Sequence, residues 1–544
     1  MIENKIPTGT IDLAFDDAQE RSRILEKLQQ VYEKNGYAPV VTPTMEYAST
    51  FTRTGSLIAE DALFRQLDQD GNLLVLRPDN TMPIARLYAT RLQGLPLPLK
   101  LSYAQPVFRR DRTQNGKRIE FMQSGIECIG EDGTASDASI LQIAVDCFLA
   151  LDLPNFKLEI GHTGIFYALV EGTPFTADDI EHFRSSIETK NQAALLKALL
   201  PYRAKCPDVC KALALLPTLF GSAELLVRAK EVFSFNEKAL EILESLSLLL
   251  TEVEKRGFLQ YVILDLGLVQ HIDYYTGMVF QGYLPGIGEA ALSGGRYNEL
   301  TGTFGAPGPA AGFACTVDVL QKGSKTAENT VPSETKPLRL ALTKGRLEKE
   351  TVRILDSIGY DCSVFSDKGR KLIFPIPALG EAVLAKAVDV ITYVERGVCD
   401  IGVVGKDTIL ENGNSFYEVL DLQFGKCRFA VAGLDKDALY SGYEGKKIAT
   451  KYPKIAKEYF LKKGMDVEII KIEGSVELAP LLQLADAIVD IVETGSTLKE
   501  NGLVIYDEIC DVSARLIINT AAMKLRKDEI ELFLQKLTSA VPII

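Results

Sequence analysis

The 544-residue chain has no tryptophan and three histidines, His162, His182 and His271, far apart in sequence. Its nine cysteines are scattered, no CxxC pair occurs, and Cys206 and Cys210 enclose three residues. A zinc site built mainly of His and Cys is therefore not expected on the usual ligand spacings. An odd cysteine count in a long chain without a signal segment reads as free thiols in a reducing cytoplasm. No apolar run approaches the roughly 20 residues that span a bilayer. The start, Met1 to Pro7, has no basic stretch followed by an apolar one, so no secretory signal is expected. Nowhere does GxxxxGK[ST] appear, which excludes a Walker loop. Positive charge is also in short supply: 60 Lys+Arg against 73 Asp+Glu give a formal charge of −13. Such a chain has no global electrostatic reason to bind nucleic acid.

What is present is ordinary for a soluble globular protein, with 47% hydrophobic and 24% charged residues. The length suggests three to four domains or two large ones. One stretch reads as a linker, Gly323 to Pro337, polar with a single Val. It cannot bury enough apolar area to offset its ordering entropy. The expected division is therefore 1–322, linker 323–337 and 338–544. The first part carries an amphipathic helix pattern from Leu13 to Asn35. Strand-like segments follow at Leu73–Leu76, Val107–Phe108, Phe121–Ile129, Tyr261–Leu264 and Met278–Phe280, with a helix-rich stretch at 176–257. This predicts an α+β domain around an antiparallel sheet. In the second part short apolar strands (Leu338–Leu342, Asp400–Val404, Lys447–Thr450, Val467–Ile472, Ala487–Val492) alternate with helices, including one running through Leu484. That rhythm predicts parallel sheets in an α/β domain.

The most informative stretch is Ala485 to Lys499, where a buried strand feeds a short loop that opens a helix. Gly495 lets the backbone turn tightly. Backbone N–H groups of Thr494 to Thr497, hydroxyls of Thr494, Ser496 and Thr497, and the helix N-terminus together suit a phosphate. Asp490 and Glu493 beside it would repel phosphate unless they serve sugar hydroxyls or a metal, so a sugar phosphate with Mg²⁺ nearby is expected. The same residues also read as a capped helix after a strand.

The apolar strand, two acidic residues and Thr-Gly-x-Thr resemble the diphosphate-sugar loop of phosphoribosyltransferases. Ala341–Leu347, Asp389–Gly397, Asp400–Asp407, Ala449–Pro453 and Glu477–Pro480 sharpen this to a resemblance to short-form ATP phosphoribosyltransferase over 338–544. The chain's end at Ile544, without the long form's extra ligand-binding domain, agrees with the short form. The resemblance implies a two-lobed, periplasmic-binding-protein-like α/β transferase domain. It implies Asp486, Asp490, Glu493, Thr494, Gly495, Ser496 and Thr497 as the phosphoribosyl diphosphate site. Lys344, Arg346, Arg370 and Lys386 would face the diphosphate or the ATP phosphates, with Mg²⁺ entering on the substrate.

In the first part Leu76–Thr81, Phe108–Gly116, Phe121–Glu127, Leu268–Tyr275 and Ser293–Tyr297 stand out. Alternating polar residues on strands aim at one face of a sheet. Asp79, Gln123 and Glu127 offer acceptors, Arg109 a cation, and Tyr274 or Tyr275 a hydroxyl and an aromatic wall, a set suited to a small polar amino acid. These motifs resemble histidyl-tRNA synthetase, a class II aminoacyl-tRNA-synthetase-like fold, over roughly 1–322. By that resemblance Asp79 and Thr81 take an amino group, Glu127 with Tyr275 takes an imidazole, and Arg109 and Gln123 match binding positions. Two arginines of the synthetase are replaced here by Gln270 and Val319, and no anticodon-binding domain follows. The pattern is similar to the regulatory subunit of ATP phosphoribosyltransferase. The combined expectation is a cytoplasmic, homo-oligomeric fusion that makes phosphoribosyl-ATP in histidine biosynthesis, with histidine as effector and neither nucleic acid nor membrane as partner. Rival readings are an active histidyl-tRNA synthetase fused to a transferase and a non-catalytic solute-binding module.

Overall fold

In a computed structural model the described residues are 5–52, 62–110, 118–153, 155–269, 274–328, 337–413, 415–441 and 445–541. Gln270, part of the Phe108–Gly116 motif and most of the expected linker lie outside them. The chain forms two compact units, 1–334 with 521–527, and 335–520 with 528–544. The expected linker begins later than its composition implies. The helix Val317–Glu328 runs into it, and Gly323 and Ser324 are buried. Small residues on the inward edge let that helix pack despite its low hydrophobicity.

The first unit is built on a nine-stranded sheet. Its centre is six antiparallel strands in the order Leu99–Phe108, Glu120–Ile129, Ala310–Thr316, Leu292–Arg296, Met278–Tyr283 and Lys157–His162. Alternation along Glu120–Ile129 decides what each face does. Ile126 and Cys128 enter the main apolar core with the helices Asp16–Lys34 and Thr134–Ala150. Gln123, Gly125 and Glu127 look the other way, over a smaller core that includes Leu101, Tyr103 and Tyr297. The helix-rich stretch 176–257 resolves into helices ending with Glu237–Lys255, whose Leu243, Leu246 and Leu250 are buried at helical spacing.

The second unit has two lobes, each with its own mixed sheet, so the expected parallel strands are only part of it. In the first lobe Leu338–Thr343 lies between Gly380–Ala385 and Ile401–Gly405, all parallel. In the second, Lys446–Thr450 lies between Val467–Lys471 and Ala487–Val492, again parallel. Apart from Ile373–Ile376, which pairs antiparallel with Gly380–Ala385 inside the first lobe, the antiparallel strands come from the chain crossing between lobes twice. Tyr417–Asp421 hands over to Cys427–Gly433, and Val504–Val512 returns to Ala514–Ile518. The crossing is pinned by Leu422 N–H to Ala514 O and Ala514 N–H to Phe424 O, both 2.9 Å. Ser513 Oγ adds a 2.8 Å bond to Asp421 Oδ1. The helix expected through Leu484 is reduced to Leu478–Leu481; Gln483 turns left-handed at φ +56° and the Leu484 N–H folds back to Ala479 O at 2.9 Å, which closes the last turn.

Among the described residues no helix is long and apolar enough to cross a membrane. Phe148 is fully buried, tilted against Phe156 at 4.8 Å. Phe148→Ala is expected to cost the first unit about 3–5 kcal/mol, as emptied aromatic sites do, read as a lowered urea midpoint of that unit's unfolding transition.

Candidate functional site

Both lobes of the second unit present a ligand edge for the same topological reason. In each, the chain leaves the central strand to one side and then returns to the other, so the helices on either side of that strand diverge. Open α/β sheets bind ligands at the carboxyl ends of strands at such switch points. In the second lobe the switch point separates Lys446–Thr450 from Ala487–Val492, and the loop Glu493–Gly495 emerges there. Gly495 has φ +77°, ψ 4°, a left-handed turn in which a side chain is strained by about 1–2 kcal/mol. Thr494 Oγ1 and Ser496 Oγ stand 3.0 Å apart, and Thr494, Ser496 and Thr497 are exposed. The helix that follows, Ser496–Glu500, is five residues long. Its dipole is therefore small, and the loop's own N–H groups and hydroxyls carry the cradle.

Asp490 lies in the second half of the strand Ala487–Val492, and burial pushes its carboxyl above the usual range, with Glu477 adding repulsion and Lys451 opposing. Lys451 and Glu477 thus border the loop, although the expected site omitted both. Their signal was present in the Ala449–Pro453 and Glu477–Pro480 motifs. Asp486 is not brought to the loop. It precedes the strand at its opposite end, where its carboxylate accepts the Lys447 N–H at 2.7 Å. A six-residue strand separates the two by roughly 20 Å, so Asp486 ties neighbouring strands together instead.

The first lobe supplies cations on its carboxyl edge. Lys344 follows Leu338–Thr343 and Lys386 follows Gly380–Ala385, and the Lys344 N–H donates to Ala385 O at 2.9 Å. The strand Ile373–Ile376 pairs antiparallel with Gly380–Ala385, Ile373 opposite Val383. Leu384 N–H to Leu372 O at 2.8 Å continues that register, which sets Arg370 off the same end. Lys344, Arg370 and Lys386 are all exposed. Arg346, expected to face phosphate, instead donates to both carboxylate oxygens of Glu493 at 2.8 Å. Each side chain of this pair is 55% exposed. This contact joins the two carboxyl edges, with Arg346 from one lobe and Glu493 from the other. Tyr452 Oη donates to Asp407 Oδ2 at 3.3 Å, and Glu411 accepts the Lys454 N–H at 3.1 Å. These contacts tie the lobes again through the helices Lys406–Asn412 and Pro453–Lys462.

The first unit holds a second, enclosed polar pocket. Glu127 is 1% exposed. Its Oε1 accepts Thr81 Oγ1 at 2.7 Å, and its Oε2 accepts the Tyr297 hydroxyl. Burial pushes the Glu127 carboxyl up to about 8 despite those donors. Gln123 Oε1 accepts Asn80 Nδ2 at 3.2 Å, and half-buried Asp79 accepts the Met82 N–H at 3.0 Å. Burial raises the Asp79 carboxyl, with the Arg109 cation opposing it. Arg109 is held by Nε to Pro78 O at 2.8 Å and lies over the Phe121 ring. The rings of Tyr274, Tyr275 and Tyr297 meet edge-on at 4.8 and 5.8 Å. Gly312 floors the pocket: a Cβ there would lie 2.0 Å from Glu127 Oε2. The expected set Asp79, Thr81, Arg109, Gln123, Glu127, Tyr274 and Tyr275 thus converges. Tyr297 and Asn80 belong with it; both stood inside the recognised motifs without being singled out. Arg77 and Arg296, in the same motifs, are structural. Arg77 donates to the carbonyls of Thr42 and Pro106, and Arg296 to Asp137.

Val319 is 3% exposed within the main core. Its neighbour Asp318 binds Arg21 at 2.6 Å, Arg118 and the Met122 N–H. The helix position where the synthetase pattern places a phosphate-gripping arginine is therefore an apolar core contact.

The fold defines a class II synthetase-like unit joined in one chain to a two-lobed α/β transferase unit. The histidyl-tRNA synthetase family profile matches residues 9–320, and the ATP phosphoribosyltransferase profile matches 386–539. The second part is 64% identical over 200 residues to an ATP phosphoribosyltransferase of Clostridium kluyveri, covering 37% of this chain and 91% of that one. It is 62% identical over 207 residues to that of Clostridium acetobutylicum, covering 38% and 96%. An ATP phosphoribosyltransferase regulatory subunit of Clostridium novyi is 37% identical over 314 residues, covering 57% of this chain and 74% of that one. A solved ATP phosphoribosyltransferase regulatory subunit/histidyl-tRNA synthetase from Bacillus halodurans superposes with TM-score 0.55 at 28% identity. It covers 71% of this chain and 93% of that one. The chain belongs to the ATP phosphoribosyltransferase family of histidine biosynthesis, its catalytic part preceded by a part related to that enzyme's regulatory subunit.

The Glu127 environment has a measurable consequence. A carboxyl held above its unfolded value stabilises the fold fully below the unfolded pKa, near 4.3, and that contribution is lost as pH rises through about 8. Glu127→Gln is expected to flatten the decline in stability between pH 5 and 8 by on the order of a few kcal/mol. Denaturant titrations of both proteins across that range check it.

Proposed function

We propose that the second unit transfers the phosphoribosyl group of phosphoribosyl diphosphate to adenine N1 of ATP, giving 1-(5-phosphoribosyl)-ATP and pyrophosphate. The observation that carries this reading is the pair of carboxyl edges joined by Arg346–Glu493, one with a phosphate-shaped loop and the other with three cations. Thr494, Gly495, Ser496 and Thr497 hold the 5′-phosphate. Asp490 and Glu493 take the ribose hydroxyls, and Glu493 leaves Arg346 to do so. The released Arg346 then joins Lys344, Arg370 and Lys386 on the anionic side.

In the reaction the C1–N1 bond forms as the C1–O bond to the diphosphate breaks, and the electron pair of that bond leaves with pyrophosphate. No covalent enzyme intermediate is needed. The residues contribute by aligning two anionic substrates and by countering charge on the departing group. Mg²⁺ fits this donor set as a passenger on the diphosphate, where it neutralises charge. Asp490 and Glu493 are the carboxylates nearest the cradle.

We assign the first unit's pocket to histidine. Glu127 and the tyrosines suit the imidazole, while Asp79 and Thr81 suit the ammonium group. Histidine bound there lowers transfer if the two states of the enzyme differ in histidine affinity, and fusion fixes sensor and catalyst at one to one. A cytoplasmic homo-oligomer accords with this reading.

The test is pyrophosphate release from ATP and phosphoribosyl diphosphate, with and without histidine. Release that histidine suppresses supports the proposal; no release under any condition overturns it. Gly495→Val places a β-branched residue in the left-handed region. It is expected to weaken phosphoribosyl diphosphate binding at least tenfold by calorimetry, with circular dichroism unchanged. Glu127→Ala is expected to keep basal turnover and lose histidine inhibition; retained inhibition would place the effector elsewhere.

A further inference from the structure

All nine cysteines are free, and two of them are placed to react with one another. Cys206 caps the helix Pro207–Leu215, and its carbonyl accepts the Cys210 N–H at 3.1 Å. The two residues therefore occupy successive turns of one helical edge, with sulfurs 3.9 Å apart. Helix geometry sets α-carbons at this spacing about 6 Å apart, inside the roughly 4.4–6.8 Å span of a disulfide. Cβ atoms at this spacing in a regular helix stand about 5–6 Å apart, wider than the roughly 3.5–4.5 Å of a disulfide, so closure also draws in the first turn, which Cys206 permits as the non-helical N-cap residue at φ −143°, ψ 70°. Besides apolar packing, Cys206 Sγ meets the Tyr202 carbonyl at 3.5 Å and Cys210 Sγ that of Leu199 at 4.0 Å. Access is unequal, since Cys206 is half-buried and Cys210 buried. Cys147 and Cys315 are also neighbours, but both are fully buried beside Tyr32 and have no path to an oxidant.

We infer that Cys206 and Cys210 form a reversible dithiol–disulfide site, oxidised by a small disulfide of the glutathione type. The Cys206 thiolate attacks one sulfur of the oxidant, whose S–S bond breaks, and one glutathione thiolate leaves. Cys210 then gives its proton to solvent and attacks Cys206 Sγ, displacing the second glutathione. The protein loses two electrons and two protons, and the oxidant becomes two thiols. The order of attack follows from access. It agrees with the Cys210 thiol, which burial and the adjacent Cys206 push up to about 12, so that Cys210 acts second. The crosslink spans a single turn and pins no distant elements. Neither cysteine belongs to the pocket or the cleft, so uninhibited transfer serves as the control for folding.

The sequence offers a direct readout, because cleavage after Lys205 and Lys211 releases both cysteines in one short peptide. The full chain is incubated with glutathione disulfide, quenched in acid, alkylated, digested with trypsin and weighed. The expected result is a 206–211 peptide lighter by two hydrogens, resistant to alkylation and restored by dithiothreitol. Cys210→Ser is expected to trap glutathione on Cys206 near stoichiometrically, and Cys206→Ser to leave Cys210 unmodified over the same period. Three outcomes would overturn the inference: both thiols still alkylated after oxidation, stable glutathione on Cys206 of the unaltered chain, or an internal disulfide formed only in urea.

Discussion

Two negatively charged substrates can be brought together only where fixed positive charge and unpaired backbone donors meet without a wall of side chains between them. In the second unit the parallel strands of two mixed sheets turn their carboxyl ends toward each other and are joined through Arg346 and Glu493. As an exposed ion pair it contributes little to stability. Its importance is positional: it holds a cation from one lobe beside a carboxylate from the other, at the carboxyl ends of both sheets. The strand crossings at Leu422–Ala514 and the Tyr452–Asp407 contact keep the lobes in register around that pair.

The first unit solves the opposite problem. Its polar cluster is enclosed by the sheet and the tyrosine rings, so Glu127 is held in low dielectric. Burial holds the Glu127 carboxyl up at about 8 against the donors around it. Thr81 and Tyr297 donate to it, and Gly312 leaves the space beside it open. Where the synthetase pattern has a phosphate-binding cation, Val319 is in the core and Asp318 is spent on Arg21 and Arg118. The sheet keeps the polar cluster around Glu127 while Val319 offers no cation. This is consistent with a unit that senses rather than activates an amino acid.

Much of this was legible in the chain. Strands such as Glu120–Ile129 and Ala487–Val492 declare themselves by apolar content and length, and the motifs carry most pocket residues. The failures have specific physical causes. Asp486 and Asp490 look equivalent as a pair of acids on one strand, but a strand has two ends, and only Asp490 lies near the loop. The left-handed turn at Gln483 cut short a helix that its apolar neighbours suggested. The helical start of the linker was hidden because Gly323 and Ser324 are polar or small by type yet buried by packing.

The sequence by itself determined the two kinds of unit, the glycine at the phosphate turn, and which side chains were available for chemistry, because these depend on local periodicity and residue type. Only the tertiary structure decided which groups meet. Arg346 reaching Glu493 across 147 positions, and Tyr297 reaching Glu127 across 170, depend on strand order and register. Those are set by how both faces of each sheet are covered, a property of the whole fold that no local stretch of sequence contains.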